Sequence, residues 1–287
     1  IDSSGWYVNR DVEPSNTLFL DSTRDRVWIL YSLLDATQSD FIVENWIKST
    51  SNLDSCWLSR GNLLHWENLS GWSRRGMGLR FSDGLSPEES SGNFSLKAWH
   101  GANRYVEGLD EILKIAQDKF AIYSVRFQKK SGGSISISAE WYSDGKVTIN
   151  RAEDADEVLI SVAEMANRYA DSLKEATNLR NKKIAPFEID FSKRIEDLDA
   201  FSATVTKGQG AMKLWLAEIE ACQDFRRFKG VDLHTWDRIL LDVGPDYVYL
   251  TVPGKGCVNA APRLAVVQGE DNAGRASIYH DGTEVFA

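Results

Sequence analysis

Residues 134–141 read SISISAEW, with Ile135, Ile137, Ala139 and Trp141 alternating against Ser136, Ser138 and Glu140. Successive side chains of a strand point to opposite faces, so this octet folds as a β-strand with an apolar face against a core and a polar face away from it. Its neighbours extend the pattern. FAIYSVRF (120–127) leads into it through QKKSGG, and SDG (143–145) turns the chain back into KVTIN. FSLKAW (94–99) reads as a further strand, and Val106, Leu109, Leu113 and Ala116 mark one face of a helix begun by an Asn103 cap.

A long helix is expected over about 153–175, with Val158, Val162, Met165, Tyr169 and Leu173 on one stripe. Glu153, Asp154, Asp156 and Glu157 stand at its start, where the macrodipole favours negative charge. The β-α-β-β-β-α order over 94–176 predicts a central antiparallel sheet with its helices on one face and the opposite face open to a partner. The fold class is therefore α+β.

Before this unit lies an N-terminal α+β segment, 1–93. LFLDSTRDRVWILYSLL (18–34) suggests two short strands joined by a turn, and a helix follows to about residue 49, opened by a Thr37/Asp40 capping box. Residues 51–93 carry Trp57, Trp66 and Trp72 among many Gly and Ser, ending in the loop SDGLSPEESSGN. TNLRNKKIAP (177–186) reads as a second linker before a C-terminal α+β segment, 187–287. That segment is expected to hold a strand at FEIDF, a helix at 195–206 and another at about 211–225 with Met212, Trp215, Ile219 and Cys222 on one stripe. A meander of RILLDV, YVYLTV, RLAVVQ, ASIYH and TEVF closes the chain, and the three segments make one or two compact domains.

Composition restricts function. With 42 acidic and 33 basic residues the net charge is -9, which opposes indiscriminate adhesion to nucleic acid or anionic lipid. No apolar run approaches a membrane span, and the opening IDSSGWYVNR lacks the basic head and apolar stretch of a secretory signal. Cys56, Cys222 and Cys257 are widely spaced and odd in number, which points to a reducing, cytoplasmic setting rather than a disulfide framework.

VDLHTWDRILLD (231–242) gathers Asp232, His234, Asp237 and Asp242 in a chain with only four histidines. An extended conformation would set Asp232 beside His234 as a supported base or a pair of metal ligands. A helical one would make Asp232 an N-cap and bury Trp236 with Leu233 and Leu240. The structural role is the stronger reading, since one histidine with flanking carboxylates is an incomplete metal site, and no cofactor is implied. His65, His100 and His280 are scattered, and Cys257 in GKGCVNAAP would be a nucleophile only beside a histidine. The glycines of GKG (254–256) and KGQG (207–210) serve turns rather than phosphate loops.

Basic clusters are few. WSRRGMGLRF (72–81) interleaves Trp72 and Phe81 with Arg74, Arg75 and Arg80; DFRRFKG (224–230) repeats this chemistry with Arg226 and Arg227; Arg180, Lys182 and Lys183 lie in the linker. Such surfaces hold anions while rings stack on a ligand. The expected function is a non-catalytic binding or regulatory module recognising a protein, a larger assembly, or nucleic acid or another anionic ligand. Trp72, Arg74, Arg75, Arg80, Arg226 and Arg227 would form its surface. The rival is a hydrolase, metal-dependent or acting on a phosphoester, centred on Asp232, His234 and Asp237.

Overall fold

A computed structural model describes residues 6–8, 18–69, 71–82, 93–99, 121–207, 212–271 and 276–286. The fold is mixed α+β, built from three antiparallel sheets with helices packed between and beside them. No helix among the described residues is long and apolar enough to cross a membrane.

The first sheet has three strands in the order β1 (Trp6–Val8), β2 (Leu18–Asp21) and β3 (Ile29–Ser32). It leads into α1 (Ala36–Ser49), whose N-cap is Asp35, accepting from the Gln38 amide, rather than the expected Thr37/Asp40 box. After the single turn α2 (Arg60–Leu63) comes β4 (Trp72–Ser82), an eleven-residue strand that the Gly- and Ser-rich sequence conceals.

β4 lies between β5 (Asn93–Trp99) and β6 (Ala121–Ser131), and the five-stranded sheet continues with β7 (Ser134–Tyr142) and β8 (Val147–Ala152). The sheet thus draws strands from both sides of the loop expected near residue 93. Gly76 and Gly78 permit this insertion, since a Cβ at either position would overlap Trp99 or Tyr123 of the flanking strands. The helix expected over about 103–116 lies outside the described residues.

β7 follows its alternation closely. Ile137 and Ala139 pack with Val158 of α3 (Ala155–Lys182), while Trp141 enters the main core. The opposite face is not open: Ser136, Ser138 and Glu140 are buried too. Ser124 Oγ donates to Glu140 Oε1 at 2.8 Å, Arg126 Nε donates to Ser138 Oγ at 3.2 Å, and Lys97 Nζ stands 3.5 Å from Glu140 and 5.7 Å from the Trp99 ring centre. This polar face satisfies itself with internal partners.

The third sheet has seven strands in the order β10-β11-β12-β13-β9-β14-β15. β9 (Phe187–Phe191) precedes α4 (Leu198–Lys207), close to expectation. The helix expected at 211–225 is instead strand β10 (Leu214–Cys222), turning into β11 (Phe225–Asp232). Leu214 and Leu216 are buried while Trp215 and Ala217 are exposed, so a two-residue period overrides the accidental helical spacing of Met212, Trp215, Ile219 and Cys222. Gly230 completes the pairing, because a Cβ there would run into the Trp215 carbonyl on the neighbouring strand.

β12 (Arg238–Gly244) and β13 (Tyr247–Thr251) meander as expected, but RLAVVQ belongs to helix α5 (Ala260–Asp271). Its continuous apolar run imitates a buried strand; Pro262 in the first turn fits a helix start. β14 (Ala276–His280) and β15 (Thr283–Val285) finish the sheet. One continuous core joins the sheets and helices from Val27 to Phe286, including Phe187, Phe228, Leu250 and Leu264.

Candidate functional site

VDLHTWDRILLD is neither a helix nor one extended strand. β11 ends at Asp232, β12 begins at Arg238, and the residues between form a turn. Asp232 Oδ1 accepts the His234 backbone N–H at 2.9 Å, and the Asp232 carbonyl accepts from Trp236 N–H at 2.7 Å. This side-chain closure shapes the turn. Trp236 is consequently 68% exposed at φ 62°, contrary to its expected burial, because it stands in the turn and not on either strand.

Asp232 itself is 1% exposed, with a buried partner on α5. Arg263 grips it with two hydrogen bonds, Nη1 to Oδ1 at 3.1 Å and Nη2 to Oδ2 at 3.0 Å, and reaches Asp54 Oδ2 at 3.0 Å. Burial works against the charge on Arg263, but Asp54 and Asp232 outweigh it and hold the guanidinium above its ordinary value. Asn259 extends the network by donating to Asp54 Oδ2 at 2.7 Å, and Tyr169 OH donates to Asn259 Oδ1 at 2.5 Å. Asp232 is thus committed to structure, and it locks the turn, α5 and the loop after α1 together.

Above this anchor opens a cleft of about 320 Å³. Thr177 and Arg180 come from α3, one turn apart and so on one face. His234 and Thr235 come from the β11–β12 turn, Lys255, Gly256 and Cys257 from the loop before α5, Arg26 from the β2–β3 turn, and Asn52 from the loop after α1. Arg26 Nη1 donates to Thr177 Oγ1 at 2.9 Å, and Arg180 Nη1 donates to the Gly256 carbonyl.

The electrostatics of the cleft are one-sided. Among the described residues its lining includes Arg26, Arg180, Lys255 and His234 and no carboxylate. Among the described residues, none of Arg26, Arg180 and Lys255 forms an ion pair. Burial lowers the Arg180 guanidinium below its ordinary value; Cys257 opposes this, the charge of Arg26 adds to it, and Asp237 opposes it least. His234 Nδ1, Thr235 Oγ1 and Arg180 Nε are shielded from solvent without a hydrogen-bond partner among the described residues. Shielded polar atoms without a partner are costly to the fold.

Cys257 shares the cleft with His234, but burial raises its thiol above the ordinary value, which favours the protonated form over a thiolate. Cys56, packed against the main core, is pushed up to about 12 by burial, with the charges of Asp54 and Asp144 adding to it. Cys222 is exposed on β10. At pH 8 one thiol, Cys222, should therefore react rapidly with a disulfide reagent and all three should react in urea; equal native rates would contradict this burial. The raised Cys56 value has a definite sign. Its stabilisation is complete below the unfolded thiol value near 9 and is lost as pH climbs from there towards 12, a decline that Cys56→Ala should lessen.

The arginines expected to form a ligand surface are elsewhere. Trp72, Arg74, Arg75 and Arg80 are on β4 of the five-stranded sheet, and Arg226 and Arg227 on β11 of the seven-stranded one. Trp72 packs on Trp66 with ring centres 5.1 Å apart, and Arg80 covers the Tyr123 ring at 4.7 Å. Arg226 meets Asp199 at 2.6 Å, and Arg227 meets Asp242 at 2.7 Å and Glu220 at 2.9 Å. None of the six lines the cleft. His65 pairs with Glu164 at 3.3 Å, His280 is buried against Phe187, and His100 lies outside the described residues. Among the described residues no three His, Cys, Asp or Glu side chains are grouped to hold a metal ion.

Comparison with known proteins adds kinship. The model of the MJECL33-like protein family matches residues 7–268. The chain is 23% identical over 314 aligned positions to the uncharacterized protein MJECL33 of Methanocaldococcus jannaschii, covering 92% of this chain and 76% of that protein. No solved structure matches it. The family match spans the cleft and all but the last strands of the seven-stranded sheet, and the chain belongs to the MJECL33-like protein family.

Proposed function

We propose that the protein is a non-catalytic binding or regulatory module of the cytoplasm that takes up a small anionic ligand in the cleft between α3, the β11–β12 turn and the loop before α5. The observation that carries this is the pairing of Arg26 and Arg180 in one cavity without a carboxylate among the described residues of its lining, in a chain whose net charge is -9. Placing two guanidinium groups together costs electrostatic free energy that an anion recovers. Thr235 and Asn52 add neutral donors of the kind that orient phosphate or carboxylate oxygens. The three free cysteines support a reducing setting.

Binding fits this geometry better than hydrolysis. Asp232 is neutralised by Arg263 and cannot serve as a base, and Cys257 is held protonated by its burial. Inorganic pyrophosphate titrated calorimetrically should bind, and more weakly as salt rises. Arg180→Ala should lose about 1.5–3 kcal/mol of binding, roughly ten- to a hundredfold in Kd, without lowering the thermal midpoint by more than a few degrees. Heat-silent titrations at low salt with both pyrophosphate and citrate would remove the proposal.

A further inference from the structure

Trp236 has two features that contacts within the chain leave unexplained. Its backbone lies at φ 62°, a region that bulky side chains avoid, and its indole is 68% exposed. The turn does not demand a tryptophan. The bonds that close it come from Asp232, His234 and the backbone amide of residue 236, and glycine or asparagine would adopt the same φ with less strain. A strained, solvent-facing aromatic in such a turn points to a role outside the fold.

Its place supplies that role. Thr235, on one side, lines the basic cleft. Asp237, on the other, sets its Cβ against Gly256, a further lining residue, within 3.4 Å of where a Gly256 Cβ would stand. The turn that carries the indole thus borders a cavity whose interior presents Arg26, Arg180, Lys255 and His234. At about 320 Å³ the cavity is near the small end of ligand sites, with room for a phosphate and the group it esterifies but little more. A planar extension of such a ligand would leave the cavity at its rim, where the turn bearing Trp236 stands.

We propose that the ligand is a nucleoside 5′-phosphate, its phosphate held by Arg26, Arg180 and Lys255 and its base stacked on Trp236. This rests on the anion-binding reading above and adds the ring to it. Every base has a π-face, so stacking on an exposed indole favours nucleotides as a class over sugar phosphates without selecting one base. The same chemistry occurs in a free mononucleotide and at the phosphorylated end of a nucleic acid strand.

Calorimetric titration of the full chain with adenosine 5′-monophosphate, ribose 5-phosphate and a 5′-phosphorylated trinucleotide tests this. The mononucleotide should bind about tenfold or more tightly than ribose 5-phosphate. Trp236→Gly, which relieves the strained φ and so should leave the thermal midpoint unchanged or raised, should abolish that preference while ribose 5-phosphate binding stays the same. Trp236→Phe should keep part of the preference. Equal affinities in the wild type, or a preference that survives Trp236→Gly, would overturn the stacking role while leaving the anion site standing. Failure of every phosphate to bind would overturn both. A trinucleotide bound more tightly than the mononucleotide assigns the ligand to a strand end; the reverse assigns it to a free nucleotide.

Discussion

Replacing Arg263 with methionine should cost about 3–5 kcal/mol of folding free energy, read as a fall in the urea midpoint at unchanged m-value. Arg263 is fully buried and shares its guanidinium between Asp54 and Asp232, which are both nearly inaccessible to solvent. Methionine fills comparable volume, so the loss would come from two buried carboxylates left without a counter-charge rather than from a cavity. Adding Asp54→Asn and Asp232→Asn to the same background removes those charges and should recover most of the stability. A single variant within about 0.5 kcal/mol of wild type, the range of ordinary surface substitutions, would show that the triad is not an uncompensated-charge risk at all. The outcome matters for function, because Arg263 and Asp232 fix the turn that carries His234, Thr235 and Trp236.

The parts of the fold legible in the sequence were those whose pattern is local. SISISAEW and its SDG turn gave β7 and β8, and the stripe from Val158 to Leu173 gave α3, which continues through the expected linker to Lys182 and so carries Arg180 into the cleft. The errors came where two periods coincide. Met212, Trp215, Ile219 and Cys222 satisfy a helical spacing, yet the buried pair Leu214 and Leu216 follows the period of a strand. AVVQ looks like a strand, yet it belongs to a helix whose residues 260–265 are all buried deep in the core. β4 was hidden by Gly76 and Gly78, whose purpose is visible only once Trp99 and Tyr123 lie across them.

The site was less legible still. His234, Cys257, Arg180 and the GKG loop each drew attention separately, but the cleft gathers them with Arg26, Asn52 and Thr177 from distant parts of the chain. No local pattern reports such convergence. One signal was present: Arg263 in AAPRLAVV is a lone cation in an apolar run, and a buried arginine requires carboxylates, which are Asp54 and Asp232. Following that requirement would have joined VDLHTWD to α5 and brought His234 towards Cys257.

The indole cluster beneath the five-stranded sheet provides the second large effect. Trp141 is 1% exposed; its ring centre is 5.4 Å from that of Trp66, which lies 5.1 Å from that of Trp72. These three rings join β7 and β4 to the segment following α2, so removing Trp141 empties space that several elements share. Trp141→Ala should cost about 3–5 kcal/mol. Trp141→Phe should cost much less, because it keeps an aromatic ring against Trp66 and removes an indole N–H that is buried without a hydrogen-bond partner among the described residues. Chemical denaturation of the two variants separates packing from polar burial. A phenylalanine variant as unstable as the alanine one would mean that only the full volume of an indole fills this region.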